Sequence, residues 1–328
     1  MSALPQYGKH LHPSAKMRAV VIDRYGGPEV LRLANVPRPV PTRSQVLVRT
    51  RFIGVNPKDV IVRKGKFKVA TGKKFPLIVG HDIAGEVVEA GFGADLNEGD
   101  LVYGMINDFA GRAYAEYAAV NVHQLAIAPS SVALDVAAAV PLAAQTALQA
   151  LRDDARLQPG QSVMINGASG GVGVFAVQIA KIMGARVTAV CSHRNAELVT
   201  ELGADEVVDY GKVELANLDD RFDVIFDVFG NYHFEKLKHL LASRGTYVHT
   251  IPSARIFKDV ARTFVRRKRA KLVIVKSRRS DLDWLRQHID AGRLRVVVDR
   301  SFSLGDVADA HRYLETKRAR GKVVLAVD

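Results

Sequence analysis

The residues able to do chemistry fall in a few short segments. Gly167, Ala168, Ser169, Gly170, Gly171, Val172 and Gly173 follow a short apolar run at 162–166. They lead into apolar positions 172, 175, 179 and 182, spaced as one face of a helix. A strand, a glycine turn and a helix in that order form a cradle for a dinucleotide pyrophosphate. Gly170 lets the backbone approach the phosphates and Gly173 lets the helix pack close to the strand. The helix N-terminus adds free N–H groups and a partial positive charge. The first fingerprint position is Ala168 rather than glycine, so the pattern is A-x-G-x-x-G. The alternative reading is a glycine-rich turn used only for packing.

The next strand, expected over 186–191, ends in Cys191-Ser192-His193-Arg194-Asn195. In an NAD-binding fold an Asp or Glu about 20 residues past the glycines binds the ribose 2′-OH and repels a 2′-phosphate. Here no carboxylate occurs before Glu197, which lies in the following helix. Ser192 offers a hydroxyl, His193 a further donor and Arg194 a forked cation, all suited to phosphate. NADPH is therefore the expected cofactor. The alternative for Arg194 is a solvated residue at a helix start.

The elements that must position these groups change character along the chain. Of 328 residues, 48% are hydrophobic and 25% charged, the balance of a globular protein large enough for two domains. Up to about Pro129 short strands and turns dominate, with strands expected at 17–22, 45–53, 83–89 and 101–105. Pro37, Pro39, Pro41 and the Gly91-Phe92-Gly93 connection serve as punctuation. An Ala-rich buried helix is expected over 136–151. Strands at 162–166, 186–191, 207–209, 223–228 and 245–250 then alternate with helical patterns, which implies a parallel sheet with right-handed crossovers. A late helix is expected over 281–291. The tail at 322–327 reads as a strand returning to the first domain.

Residues 1–16 lack the apolar block of a secretory signal and are read as a loose extension. No apolar run approaches the roughly 18 residues of a membrane span. The single cysteine, Cys191, fits a reducing, cytoplasmic setting and excludes a Cys-rich zinc site. The net charge of +13 favours anionic partners. Much of it comes from residues 262–279. That stretch is either a solvated helix face or a handle for an anionic substrate or nucleic acid.

The glycine turn and the Cys191–Asn195 segment resemble the quinone oxidoreductase branch of the medium-chain dehydrogenase/reductase superfamily. Gly54-Val55-Asn56-Pro57-Lys58-Asp59 is similar to its G-x-N-P-x-D turn, and residues 80–87 to its G-x-D-x-A-G-x-V stretch. Residues 98–104, the Thr146-Ala147 pair, residues 203–210 and the closing Arg320-Gly321-Lys322 also agree with that branch. The resemblance runs from about Met17 to Asp328. It implies an α/β protein: a Rossmann doubly wound parallel sheet plus a GroES-like, mostly-β domain, with the active site between them. The implied boundaries are 1–129, completed by 295–328, for the GroES-like catalytic domain and 130–294 for the Rossmann domain.

The resemblance also implies roles. Asn56 stands where zinc-dependent relatives carry a cysteine ligand, beside His81 and Asp82. Asn is a poor zinc ligand, so no metal is expected. Without a Lewis acid an ordinary alcohol is hard to oxidise. A quinone or an α,β-unsaturated carbonyl instead takes hydride at carbon and leaves charge on an oxygen that hydrogen bonds stabilise. The expected activity is NADPH-dependent reduction of such an acceptor. Asn56 is expected to donate its amide to the carbonyl and Lys58 to face the oxyanion, with Asp59 anchoring the turn. Tyr103 and Tyr114 are candidate proton donors. Thr146, Tyr210, Thr250, Ile251 and Lys322 join the glycine turn as expected cofactor contacts. Two other readings stay open: a 2-enoyl thioester (CoA or carrier) reductase gripping its carrier through the basic stretch, and a nucleic-acid-binding relative that still holds NADPH. The last is disfavoured because Phe257 and Phe264 are the only aromatics near the stretch. Relatives suggest a homodimer joined at an edge strand that includes Val273.

Overall fold

The computed structural model describes residues 15–91 and 95–327. The expected N-terminal extension up to residue 14 and the Phe92-Gly93 part of the glycine connection lie outside the described residues.

The strand Ser162–Asn166 forms the centre of a six-stranded parallel sheet. On one side lie Arg186–Cys191 and then Glu206–Asp209; on the other lie Phe222–Asp227, Leu241–His249 and the edge strand Arg269–Leu272. In chain order this is 3-2-1-4-5-6, the doubly wound arrangement in which a dinucleotide lies across the strand ends where the order reverses. The reversal falls between Ser162–Asn166 and Phe222–Asp227. Asn166 Nδ2 donates to Asp227 Oδ1 there at 2.7 Å. The central strand is buried on both faces, as a sheet covered by helices on each side requires. The helix Gly173–Ile182 packs along it and against Pro141–Gln149, all nine of whose residues are buried.

A seven-stranded, largely antiparallel sheet carries the other half. Its path runs Val298–Ser303, Lys322–Ala326, Gln45–Val55, Asp82–Ala90, Leu101–Met105 and Leu125–Ile127, with Tyr117–Asn121 also paired to Gln45–Val55. The C-terminal strand crosses back to pair antiparallel with Gln45–Val55. A three-stranded sheet of Arg32–Pro37, Lys16–Ile22 and Leu77–Ile78 lies beside it. Its outer member includes Pro37, which an edge strand tolerates because the missing N–H would face away from the ladder.

The helix expected as one unit over 136–151 is divided. Leu134–Ala138 stops, Pro141 starts a second helix at its first position, and Ala150–Asp154 ends in a wider π turn. Proline lacks the N–H that would continue the first helix but fits the first turn of the next.

Candidate active site

The glycine turn sits at the C-terminal end of the central strand. The N–H groups of Gly167 and Ala168 both donate to Val190 O, which fixes the turn to the neighbouring strand. Gly171 and Val172 have no backbone acceptor for their N–H groups among the described residues, as the first turn of a helix dictates. Gly173 is sterically obligatory: a Cβ there would lie 2.1 Å from Gly167 O. Gly173→Ala should destabilise the fold by about 1–3 kcal/mol through overpacking, read as a lower Tm. An unchanged Tm would mean that the turn is looser than its geometry. At Gly170 an added Cβ would meet only Gly167 O, at 3.4 Å, so that side of the turn is open for a ligand to approach.

The ribose end is built from Ser192 to Asn195. His193 and Arg194 are exposed in a short 3-10 turn. Ser192 Oγ and Asn195 Oδ1 are buried without hydrogen-bond partners, while Asn195 Nδ2 donates to Ser169 Oγ at 2.8 Å. Buried polar atoms are rarely left unpaired, so these orphans mark a place where a polar ligand completes the bonding. The carboxylate at the adjacent strand end, Asp209, accepts from Gly211 N–H at 3.0 Å. Tyr210 follows it and is 60% exposed. These residues fit an adenosine phosphate. Thr250 and Ile251 lie past the strand Leu241–His249, and Thr250 Oγ1 donates to Val228 O. Thr146 is buried and its hydroxyl donates to Leu142 O, leaving the oxygen lone pairs as its remaining function.

Asn56 ends the strand Gln45–Val55 and starts the helix Pro57–Arg63. Asp59 Oδ2 accepts from the Asn56 N–H at 2.8 Å, so Asp59 anchors this turn. The Asn56 side chain stands differently from the sequence expectation. It is 1% exposed, and its amide nitrogen donates to Gly54 O and Asp82 Oδ2 at 3.2 and 2.9 Å. Its oxygen accepts from Lys322 Nζ. Both amide hydrogens are used, so Asn56 has none left for a substrate carbonyl.

Lys322 is likewise displaced from its expected phosphate or ribose contact. Its stem passes beneath Gly171, but its ammonium is buried against Asn56 and 3.5 Å from Asp82 Oδ2. Burial pushes Lys322 down and Asp82 up from their ordinary pKa ranges, each opposed by the other's charge.

Tyr103 and Tyr114 are fully buried. Tyr103 donates to Leu282 O at 2.6 Å, and Tyr114 donates to Asp59 and meets His311 Nε2 at 3.0 Å. Burial raises both phenols well above their usual range, which places them in structural networks rather than in proton donation. His81 Nδ1 pairs with Asp59 at 2.5 Å.

Lys58 differs from all of these. It is half-buried, and burial holds its ammonium below the ordinary lysine value despite the opposing charges of Asp59, Asp82 and Asp108. No hydrogen bond from Lys58 forms among the described residues. Its ammonium is therefore an unbonded donor beside the Asn56 turn, where His81 Nε2 is another side-chain nitrogen without a partner among the described residues.

Among the described residues, no group of three or more His, Cys, Asp or Glu is placed to hold a metal ion. The positions implied for a catalytic metal do not fit one. Asn56 supplies a carboxamide where a thiolate would be required, and its oxygen already accepts from the Lys322 ammonium, which also faces Asp82 at 3.5 Å.

The basic stretch divides. Arg278 pairs with Asp153 at 2.9 Å and Arg279 with Asp95, beside the helix Pro141–Gln149. Residues 262–269 lie at the opposite end of the parallel sheet, where Arg269 pairs in register with Thr246. They are not a handle at the cofactor end. Sequence reading missed Phe229, which crosses the glycine turn about 3.1 Å from a Cβ at Gly167 and lies under Lys317 Nζ at 5.2 Å. It also missed Asp227, which accepts from Asn166, Gly230, Tyr232 and Tyr247. A lone Asp or Phe at a strand end carries no sequence signal of such a place.

Comparison with known proteins agrees with this construction. Residues 42–130 match the alcohol dehydrogenase GroES-like domain, and residues 202–325 match a family described as zinc-binding dehydrogenase. The chain is 36% identical to the chloroplastic NADPH-dependent alkenal/one oxidoreductase of Arabidopsis thaliana, over 94% of this chain and 79% of that protein. It is 33% identical to a chloroplastic quinone oxidoreductase of Triphysaria versicolor, over 94% and 98%. The solved quinone oxidoreductase of Coxiella burnetii superposes with a TM-score of 0.89 at 29% identity, covering 96% of this chain and all of that one. An α/β chain with a Rossmann sheet, a GroES-like partner and relatives at this identity over nearly its whole length belongs to the quinone oxidoreductase branch of the medium-chain dehydrogenase/reductase superfamily.

Proposed function

We propose that this protein reduces quinones or α,β-unsaturated carbonyls with NADPH, without a metal. The observation that carries the reading is the pairing of a Ser192–Asn195 turn that carries no carboxylate of its own, with exposed Arg194 and an unpartnered Ser192 hydroxyl, with a half-buried and unbonded Lys58. The names of the relatives support the same acceptor classes. NADPH, when bound, supplies the hydride. Gly171 and Val172 would hold its pyrophosphate on their N–H groups, with the open Gly170 backbone, Ala168, Ser169 and the helix dipole completing the cradle. Ser192, His193 and Arg194 take the 2′-phosphate, and Tyr210 covers the adenine. Thr146, Thr250 and Ile251 border the nicotinamide end, and Lys322 holds the Asn56 turn to the glycine loop.

On the substrate side Lys58 points its ammonium at the carbonyl oxygen. Lys58 would stabilise the negative charge that reduction leaves on that oxygen and hold a proton there; for an enone, tautomerisation of the enol with a solvent proton at the α-carbon would complete the saturated carbonyl. Asn56 acts through its turn, by fixing where Lys58 starts. The proposed division is residues 1–129 with 295–328 around Lys58, and residues 130–294 around the glycine turn. We also propose a homodimer formed along the edge strand Arg269–Leu272, whose outer ladder has no partner within the sheet.

Zinc independence is supported by the Lys322 ammonium at Asp82 and Asn56. The match to the zinc-binding dehydrogenase family covers none of residues 56, 81 or 82. No helix among the described residues is long and apolar enough to cross a membrane. A single, buried thiol suits a reducing compartment, and the cytoplasm is the proposed one.

The test is NADPH oxidation with 9,10-phenanthrenequinone and with a short enone, before and after dialysis against a chelator. The expected result is turnover that survives chelation, with no stoichiometric zinc by elemental analysis. Turnover lost on chelation and restored by zinc would reject the metal-free reading.

A further inference from the structure

Past the strand Leu241–His249 the chain turns through Thr250, Ile251 and Pro252, and a side chain closes that turn. The Ile251 N–H donates to His249 Nδ1 at 3.0 Å. An acceptor two residues before the N–H it binds makes the kind of turn that Asn and Asp side chains form. The Ile251 side chain then reaches Gly230, where a Cβ would lie 2.5 Å from Ile251 Cδ1 and 3.3 Å from His249 Cε1. Thr250 Oγ1 donates to Val228 O at 3.0 Å. The 228–230 and 249–251 segments are thus knitted together at the ends of neighbouring strands. Ile251 is 40% exposed, an apolar side chain held outward where an open α/β sheet takes its ligand.

Nδ1 can accept only if it carries no proton. The His249 ring is 6% exposed, and burial holds it below the ordinary histidine pKa, opposed by the charge of Asp227. A neutral ring has one N–H, and the bond from Ile251 assigns it to Nε2. That nitrogen faces Asp227 Oδ2 at 4.0 Å, so the carboxylate favours the same tautomer. Asp227 accepts from Asn166, Gly230, Tyr232 and Tyr247, which fixes the carboxylate itself in place.

We propose that His249 is a positioning residue for hydride transfer: its unprotonated Nδ1 holds the Ile251 N–H, so that the Ile251 side chain borders the nicotinamide ring in one fixed place. This role rests on the reading that Ile251 lies at that end of the cofactor. His249 acts through Ile251, not by touching the acceptor.

The test compares His249→Asn with His249→Gln in the full chain. Asn places its Oδ1 where Nδ1 stands and rebuilds the turn. The Gln amide lies further out, near the place of Nε2, and does not close a turn of this size. The Asn variant should keep kcat and KM for NADPH within about twofold of the parent. The Gln variant should raise KM for NADPH and lower kcat, each roughly threefold to tenfold. Adenosine 2′,5′-bisphosphate has the adenosine and the 2′-phosphate but no nicotinamide. Its Kd, measured by calorimetry, should stay at the parental value in both variants. Parental kinetics in the Gln variant overturn the proposal. So do equal losses in both variants, which mark the imidazole as packing alone. A loss of bisphosphate affinity as large as that of NADPH also overturns it, by marking general damage to the cleft. Ile251→Ala tests the contact on which the role rests. Weaker NADPH binding there, with unchanged bisphosphate affinity, supports the contact, and a parental Gln variant beside it rejects His249 alone. Unchanged NADPH binding by Ile251→Ala rejects the contact, and the role of His249 falls with it.

Discussion

Lys58→Met should reduce kcat for a quinone or enone roughly 100- to 1000-fold, the usual cost of deleting one donor to a developing oxyanion. KM for NADPH should stay near its parental value. The helix Pro57–Arg63 starts with Asn56 and Asp59, not with the Lys58 side chain, so the substitution leaves the turn intact. A methionine keeps the length of the stem and removes only the ammonium. The pH profile separates a chemical role from a structural one. Burial favours the neutral amine, so Lys58 loses its proton at a lower pH than a free lysine. The donor is therefore present below that lowered value and fails as pH rises through it. The parent enzyme should lose kcat on the alkaline side, and the methionine variant should lose that limb. A variant with reduced kcat and an unchanged alkaline limb would assign the titration to another group and remove Lys58 from the chemistry. Asn56→Ala provides the contrast. It leaves Asp82 and Lys322 buried with fewer partners, so its effect should appear first in Tm.

The parts of this architecture that could be read from the chain were those where a residue type answers to a local constraint. The strands 101–105, 162–166 and 186–191 were expected at the bounds they have, because each is an apolar run closed by turn residues. Gly173 was legible for the same reason: helix and strand approach so closely there that only a hydrogen fits. The edge strand Arg269–Leu272, which stops one residue short of Val273, was foreshadowed only by the resemblance and not by its own pattern. Its Arg-Ala-Lys-Leu sequence is half cationic, and it is a strand because Leu241–His249 offers it a ladder, not because of its own pattern. The helix Ala254–Thr263 was hidden in the same basic segment and is set by the Ser253 cap, whose hydroxyl accepts from Ile256 N–H.

The active site divides along the same line. The ribose end is a run of neighbours in sequence, so its charge pattern could be read directly. Asn56 and Lys322 meet across 266 positions, and a contact of that kind decides which amide hydrogens are spent. Sequence placed Asn56 at the right turn but could not know that Lys322 and Asp82 would occupy it. In the proposed mechanism the role expected of Asn56 therefore passes to its neighbour Lys58.

Arg194→Ala tests the other half of the site. The Arg194 guanidinium is exposed and makes no ion pair among the described residues, so removing it costs the folded protein little and Tm should hold. A hydrogen bond between a guanidinium and a phosphate contributes about 1.5–3 kcal/mol. KM for NADPH should then rise roughly tenfold to a hundredfold, while KM for NADH, which has no 2′-phosphate, should change by less than about twofold. The ratio is the informative quantity, because general damage to the nucleotide cleft would raise both constants together. Ser192→Ala should act in the same direction with a smaller effect, since its buried hydroxyl is neutral. Placing a carboxylate at the same strand end, as Ser192→Asp, should go further and reverse the preference towards NADH. A negative charge there would repel the phosphate and accept the free ribose hydroxyl. Equal weakening of both nucleotides by Arg194→Ala would mean that the guanidinium serves the adenosine as a whole. Discrimination would then have to come from Ser192 and from the absence of a carboxylate, and the double variant would be the one to show it.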